Sequence, residues 1–344
     1  MIIFYILLAV LVVSRMRFIT KGFHTDYLSF DTTNAIKGIF ILLVFIKHAT
    51  PYIIKSGYIY DGWDDRLFSY IDAHVGQWIV AMFLFYSGYG IMESIIKKGQ
   101  AYISSMPKKR LLTVLVNFDI AVLCFIVVAL ILGKHYPIKN YLLSFIGWES
   151  VGNSNWYIFV IMLCYLITYL SFRKQASTYH QGAFWCCIFL FIAVIVLSFF
   201  KPDYWYNTML CFGAGILYST FKQSIEAIIK KYYWITLGIL LILLGITANI
   251  PLHAKGLVYN AFSIVFCFLI IVLSMRISIN NKALIWCGNN LFPLYIYQRI
   301  PMILLAEIGD GGIFVCNYPV LYTTLCLAIT LLITYLYKYW AIKL

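Results

Sequence analysis

The sequence predicts an all-α, polytopic integral membrane protein with ten core transmembrane helices behind a short N-terminal apolar anchor. Three observations carry that prediction. Of the 344 residues, 63% are hydrophobic and only 11% charged, with mean hydropathy +0.87, which excludes a soluble globular chain. Apolar runs recur about every 30 residues, each near the roughly 20 residues needed to cross a bilayer. The basic residues fall in alternate loops, the asymmetry that sets orientation in a membrane. That pattern accounts for the net charge of +13 without nucleic acid as a partner.

Residues 1–13 are apolar, with no preceding positive charge and no small-residue cleavage site. They read as a retained anchor rather than a signal peptide. Arg15, Arg17 and Lys21 follow in a basic loop, so 1–30 form an anchor-and-loop unit and 31–344 the membrane domain. The first core span covers about 35–54, followed by an acidic loop over 55–73 that contains Asp61, Asp64, Asp65 and Asp72. The second runs over about 75–96 and ends in Lys97 and Lys98. Further spans fall near 111–133, 155–172, 183–200, 206–221, 233–250, 257–275, 283–305 and 319–337. Most of the 26 Lys and Arg residues lie in 14–37, 97–110, 173–174, 222–231, 276–282 and 338–343, which predicts that these segments are cytoplasmic. No internal repeat and no paired broken helices are expected. The nine cysteines are scattered through apolar runs without CxxC spacing and read as small packing residues, with no metal site.

The chemistry centres on the first core span. Lys37 and His48 are eleven residues apart, three helical turns plus about 20°, so both project from one face roughly 16 Å apart. A neutral imidazole takes a proton from a hydroxyl near physiological pH, which suits His48 to general-base work. The competing reading is a histidine hydrogen-bonded to a neighbouring helix. Pro51 can open the helix locally, while Lys47, on another face, is expected to snorkel outward.

Other constellations support this centre. In Phe83–Ile91, Ser87, Gly88 and Gly90 permit close helix contact, and the Ser87 and Tyr89 hydroxyls also suit a channel wall. Glu93 is placed to pair with Lys37 or Lys97. Lys97, Lys98, Lys108, Lys109 and Arg110 make a basic cluster that fits topology, anionic lipid or the phosphates of a nucleotide-bearing donor. Asp119 sits about 13 Å into its span and needs a partner, either a basic group that it tunes or Asn117. Asn155 and Trp156 open the fourth span, where interface anchoring and sugar recognition both apply. Gln298 and Arg299 fall at about the height of His48.

With these residues assembled, the chain resembles the membrane acyltransferase-3 family, which O-acylates bacterial surface glycans and some other acceptors. The family's signature is a basic residue, ten intervening positions, then histidine, matched by Lys37 and His48. An aromatic Ser-Gly-Tyr segment is matched by 83–91, a basic stretch by 108–110, and a Gly-x-Asn run ending in tyrosine by Gly288 to Tyr297. The likeness covers about 30–340. Two departures stand out: lysine replaces the usual arginine at 37, so no forked guanidinium contact is available there, and glutamine stands at 298 near where many members have histidine.

The resemblance implies an acetyl-CoA-dependent O-acyltransferase in a bacterial inner membrane, acting on a hydroxyl of an extracytoplasmic or lipid-linked sugar. His48 is then the base, or carries the acyl group briefly, with Lys37 the second catalytic residue; Lys37, Lys108, Lys109 and Arg110 are at the donor phosphates and Ser87 and Tyr89 beside them. Asn155, Trp156, Gln298 and Arg299 are expected at the acceptor, with Glu93 or Asp119 tuning the basic groups. The alternative is a transporter or flippase of a lipid-linked glycan or anion, which intramembrane Lys, His, Asp and Arg also suit.

Overall fold

The computed structural model describes residues 1–174, 179–246 and 255–344. It is mostly helical. α1 (Ile3–Val13) leads into a strand β1 (Met16–Phe18) and then α2 (Phe30–Lys55). Ser29 caps α2 by accepting the Thr32 N–H at 3.3 Å, and Asp31 in the first turn complements the helix dipole. α3 (Trp63–Val75) and α4 (Trp78–Lys98) follow. α5 (Gln100–Met106) passes through a wide turn, Pro107–Leu112, into α6 (Thr113–Ile131). α7 (Ile138–Ser144), α8 (Trp156–Phe172), α9 (Tyr179–Phe200), α10 (Leu210–Thr220), α11 (Lys222–Lys231) and α12 (Tyr233–Ile246) complete the middle of the chain. α13 (Gly256–Ser274) runs to β2 (Ile277–Ile279), which pairs antiparallel with β1, Arg17 opposite Ser278. α14 (Lys282–Asn289), α15 (Leu291–Tyr297), α16 (Arg299–Glu307), α17 (Gly311–Asn317) and α18 (Pro319–Leu336) end the fold.

Six stretches among the described residues are long and apolar enough to cross a membrane, or eight if each sharply bent pair is one span. The all-α, multi-pass expectation therefore holds, while the expected ten spans are not reached. The 206–221 segment is an eleven-residue helix, α10, only about 16 Å long by helical rise. The 233–250 span bends 95° from α11, and its residues 247–250 lie outside the described residues. The 283–305 span is cut into α14, α15 and α16, and the last two turn 101° into α17. Pro293 and Pro301 cannot donate to the carbonyls of Asn289 and Tyr297, and the breaks fall at Asn290 and Gln298. Broken helices, which the hydropathy pattern did not reveal, are thus part of this fold.

Two further expectations are corrected. Most of the acidic 55–73 loop is α3, with Asp65 and Asp72 buried. Lys47 does not snorkel: its ammonium reaches the Asp72 carboxylate and carbonyl, each at 2.7 Å. The Tyr5 and Thr50 hydroxyls also donate to Asp72, at 3.4 and 3.5 Å.

Two backbone-to-backbone crossings hold the centre. At α2–α14, a Cβ on Gly38 would lie 1.9 Å from the Leu284 carbonyl oxygen, and one on Gly288 equally close to that of Asn34. At α4–α10, Gly88 and Gly215 meet Phe212 and Phe85 in the same way, at 2.0 and 2.1 Å. Small residues permit this approach where lipid supplies no hydrophobic drive between helices. The Asn34 amide donates to Asn289 at 2.5 Å beside the first crossing.

Candidate active site

The fixed helix α2 presents Lys37 and His48 to two different cavities. His48 lies in one of about 460 Å³, framed by Pro51, Tyr52 and Lys55 of α2, Phe125, Val128 and Ala129 of α6 with Leu132 just past its end, and Arg299 and Glu307 of α16. Val151, Gly152, Lys134 and Tyr136 close it from the loops. The His48 Nδ1 is buried with no hydrogen-bond partner, so Nε2 is the nitrogen open to the cavity. Arg299 donates from Nε and Nη2 to the Tyr52 oxygen at 3.2 and 3.1 Å. Glu307 accepts from Lys134 directly and lies 3.9 Å from Lys55.

Lys37 opens into a cavity of about 420 Å³ with Ser87, Tyr89, Gly90, Glu93, Lys97, Arg110 and Tyr165. A second cavity, about 440 Å³, shares Ser87, Arg110 and Tyr165 with it and extends past Lys109, Tyr157, Asn289 and Asn290 to the C-terminal residues Ala341 to Lys343. Lys37 has no hydrogen bond or ion pair among the described residues. The Asn117 amide holds that C-terminal segment, bonding Ile342 through its carbonyl at 2.8 Å and its N–H at 3.0 Å, and accepting from Tyr337 at 2.9 Å.

Between these spaces stand two buried tyrosines. Tyr157, whose ring lines the Lys109–Asn289 cavity, packs 5.2 Å from the Tyr295 ring, which in turn lies 6.0 Å from the His48 imidazole. The Tyr295 hydroxyl has no hydrogen-bond partner. An aromatic partition one or two rings thick therefore divides the two sides.

Of the residues singled out in the sequence, Lys37, Ser87, Tyr89, Lys109 and Arg110 come together at one end, and His48 with Arg299 at the other. Lys108 is exposed and lines neither cavity. Glu93 pairs with Lys97 at 3.6 Å and accepts from Ser219 at 2.9 Å, not from Lys37. Asp119 meets neither Asn117 nor a basic group; its Oδ1 is buried without a partner, away from the cavities. Asn155 binds the Gly147 carbonyl at 2.9 Å, Trp156 packs on Tyr204, and Gln298 donates to the Tyr295 carbonyl at 3.1 Å. None of these three lines the His48 cavity. Tyr52 and Tyr295 escaped the sequence reading, although each lies four residues from a chosen residue, His48 or Arg299, the spacing of a shared helical face.

Fold and cavities together define a multi-pass membrane protein with polar sites opening towards opposite ends of one helix. A family model described as an acyltransferase domain, the acyltransferase-3 type, matches residues 31–339. The chain belongs to the acyltransferase-3 family and is, on that ground, an acyltransferase. Comparison with curated proteins and with solved structures gave no match.

Proposed function

We propose that this protein moves an acetyl group from cytoplasmic acetyl-CoA to a hydroxyl of a sugar on the outer side of a bacterial cell membrane. The observation that carries the reading is that α2 offers an unpaired ammonium to one cavity and an open imidazole to another, while the Tyr295 and Tyr157 rings lead from His48 to the Lys109–Asn289 cavity that shares Ser87, Arg110 and Tyr165 with the Lys37 side. Lys37, Lys97, Lys109 and Arg110 give the cationic setting that CoA phosphates require. The slender pantetheine arm would enter past Ser87 and Tyr165 and bring its thioester to the partition.

At His48 the acceptor hydroxyl attacks the thioester carbon while Nε2 takes its proton. The new C–O bond forms first, the carbonyl electron pair moving onto oxygen; as that oxyanion collapses the C–S bond breaks, and the departing thiolate takes a proton from water on the donor side. The unpartnered Tyr295 hydroxyl, next to the imidazole, is the group we assign to the oxyanion of the tetrahedral intermediate. The transporter alternative draws on the intramembrane charges and on the two bent helix pairs, and family membership speaks against it.

The test is transfer of label from radioactive acetyl-CoA to glycan acceptors by purified protein in detergent. The expected result is label in the acceptor with wild type and a loss of about 10²–10⁴-fold in folded His48→Ala. Full transfer by His48→Ala overturns the assignment of the base. Glycan movement across vesicles with no acylated product overturns the enzyme.

A further inference from the structure

The His48 cavity carries more positive than negative charge, and one of its cations lacks a counter-ion. Lys55, Lys134 and Arg299 line it against a single carboxylate, Glu307. Both lysines are already turned to Glu307. Arg299 is not: no carboxylate lies within ion-pair distance of it among the described residues, and its only hydrogen-bond partner there is the Tyr52 phenol.

A neutral phenol leaves the guanidinium charge uncompensated, and arginine does not shed its proton. An uncompensated charge at this depth is costly unless something answers it. The geometry also defines what is on offer. Nε and Nη2 are spent on the Tyr52 oxygen, so the Nη1 edge remains. Because that oxygen accepts from Arg299, the Tyr52 O–H is left to donate elsewhere. A guanidinium edge beside a free phenolic donor, in a walled cavity of about 460 Å³, is a donor set for an oxyanion.

We infer that the acceptor carries a carboxylate or phosphate close to the hydroxyl to be acylated, and that Arg299 with Tyr52 reads this group. Lys55, whose side chain is 78% exposed at the mouth, adds to the positive field that draws it in. The inference rests on the acyl-transfer reading for the ligand being a sugar, and it narrows that sugar to an acidic one.

The experiment measures binding to the purified protein, by saturation-transfer NMR titration, of methyl glucuronide, glucose 1-phosphate, neutral methyl glucoside and glycerol 3-phosphate. Acyl transfer to the three sugars is measured in parallel. The expected result is that both charged sugars bind roughly ten- to a hundredfold tighter than the neutral one, the size of one charge-assisted contact. That advantage should fall below about threefold in Arg299→Gln and weaken, with less salt dependence, in the milder Lys55→Gln. Equal binding of charged and neutral sugars overturns the inference, as does an Arg299→Gln variant whose kcat falls equally on both. Glycerol 3-phosphate binding as tightly as the sugars overturns it too, in favour of a lipid headgroup site. Charge-selective binding that is lost in Arg299→Gln, with no transfer to any sugar, supports the Arg299–Tyr52 oxyanion site but overturns its assignment to an acyl acceptor.

Discussion

Replacing Gly38 by alanine tests how the site is held. The new Cβ would lie 1.9 Å from the Leu284 carbonyl oxygen, 2.7 Å from its carbon and 2.9 Å from its Cα. All three are backbone atoms, so no side chain can rotate aside. To reach even 3.0 Å from that oxygen, α2 and α14 must part by about 1.1 Å. Overpacking of this kind costs roughly 1–3 kcal/mol, and for a chain of 344 residues that lowers the melting temperature by roughly 1–4 °C, at about 1.4 °C per kcal/mol. Lys37 is the adjacent residue and moves with the helix, and misplacement of about 1 Å at a reacting centre costs on the order of 10²-fold in rate. Thermal unfolding in detergent and acetyl transfer, measured on the same preparation, report both effects. Gly288→Ala, with its Cβ 1.9 Å from the Asn34 oxygen, should behave alike. Gly238→Ala, which meets nothing within 4 Å, should be neutral or slightly stabilising. A Gly38→Ala protein with wild-type melting temperature and turnover would refute the view that this crossing positions the site.

Lys37→Met should raise the KM for acetyl-CoA at least about tenfold with a smaller effect on the acceptor, whereas Lys37→Arg should keep most donor affinity; donor and acceptor titrations separate the two. Tyr295→Phe should keep the fold and lower kcat by about 10²–10³-fold, the usual weight of one oxyanion donor, and an unchanged kcat removes Tyr295 from that role. Lys47→Met leaves Asp72, whose side chain is 9% exposed, without its cation; chemical denaturation should show a loss of about 3–5 kcal/mol, largely restored by adding Asp72→Asn. Asn117→Leu frees the chain around Ile342, and hydrogen exchange at 340–344 should rise together with the KM for the donor.

The parts legible in the sequence were those set by local periodicity. The Lys37–His48 spacing places both residues on one side of a single helix, and the structure opens both into cavities. The Arg110 and Ser87 positions likewise follow from short motifs. What escaped was set by partners distant in the chain. Asp64, Asp65 and Asp72 read as loop because acids are rare in buried helices, yet Asp72 is answered by Lys47, 25 residues earlier. Gly38 looks like any glycine until Leu284 is laid across it. Hydropathy averaged over 283–305 hides the interruptions at Asn290 and Gln298, since apolar residues on either side keep the mean high. Asn155, Trp156 and Gln298 were chosen for suitable chemistry at suitable depth, but the Asn155 amide, the Trp156 ring and the Gln298 Nε2 each turn to neighbours, and none of the three lines the cavity. Depth alone does not say which way a side chain turns.

The tyrosine pair that walls one cavity from the other has an electrical consequence for the proposed reaction. The sugar hydroxyl surrenders its hydrogen ion on the far face, while coenzyme A regains one on the near face. Among the described residues neither the His48 Nδ1 nor the Tyr295 hydroxyl has a hydrogen-bond partner through which a proton would pass between the two faces. Each turnover therefore exports one positive charge, and an interior-negative voltage opposes it by about 2.3 kcal/mol per 100 mV. Decorating the cell's exterior becomes work done against the membrane potential, driven by the energy released as a thioester becomes an ester.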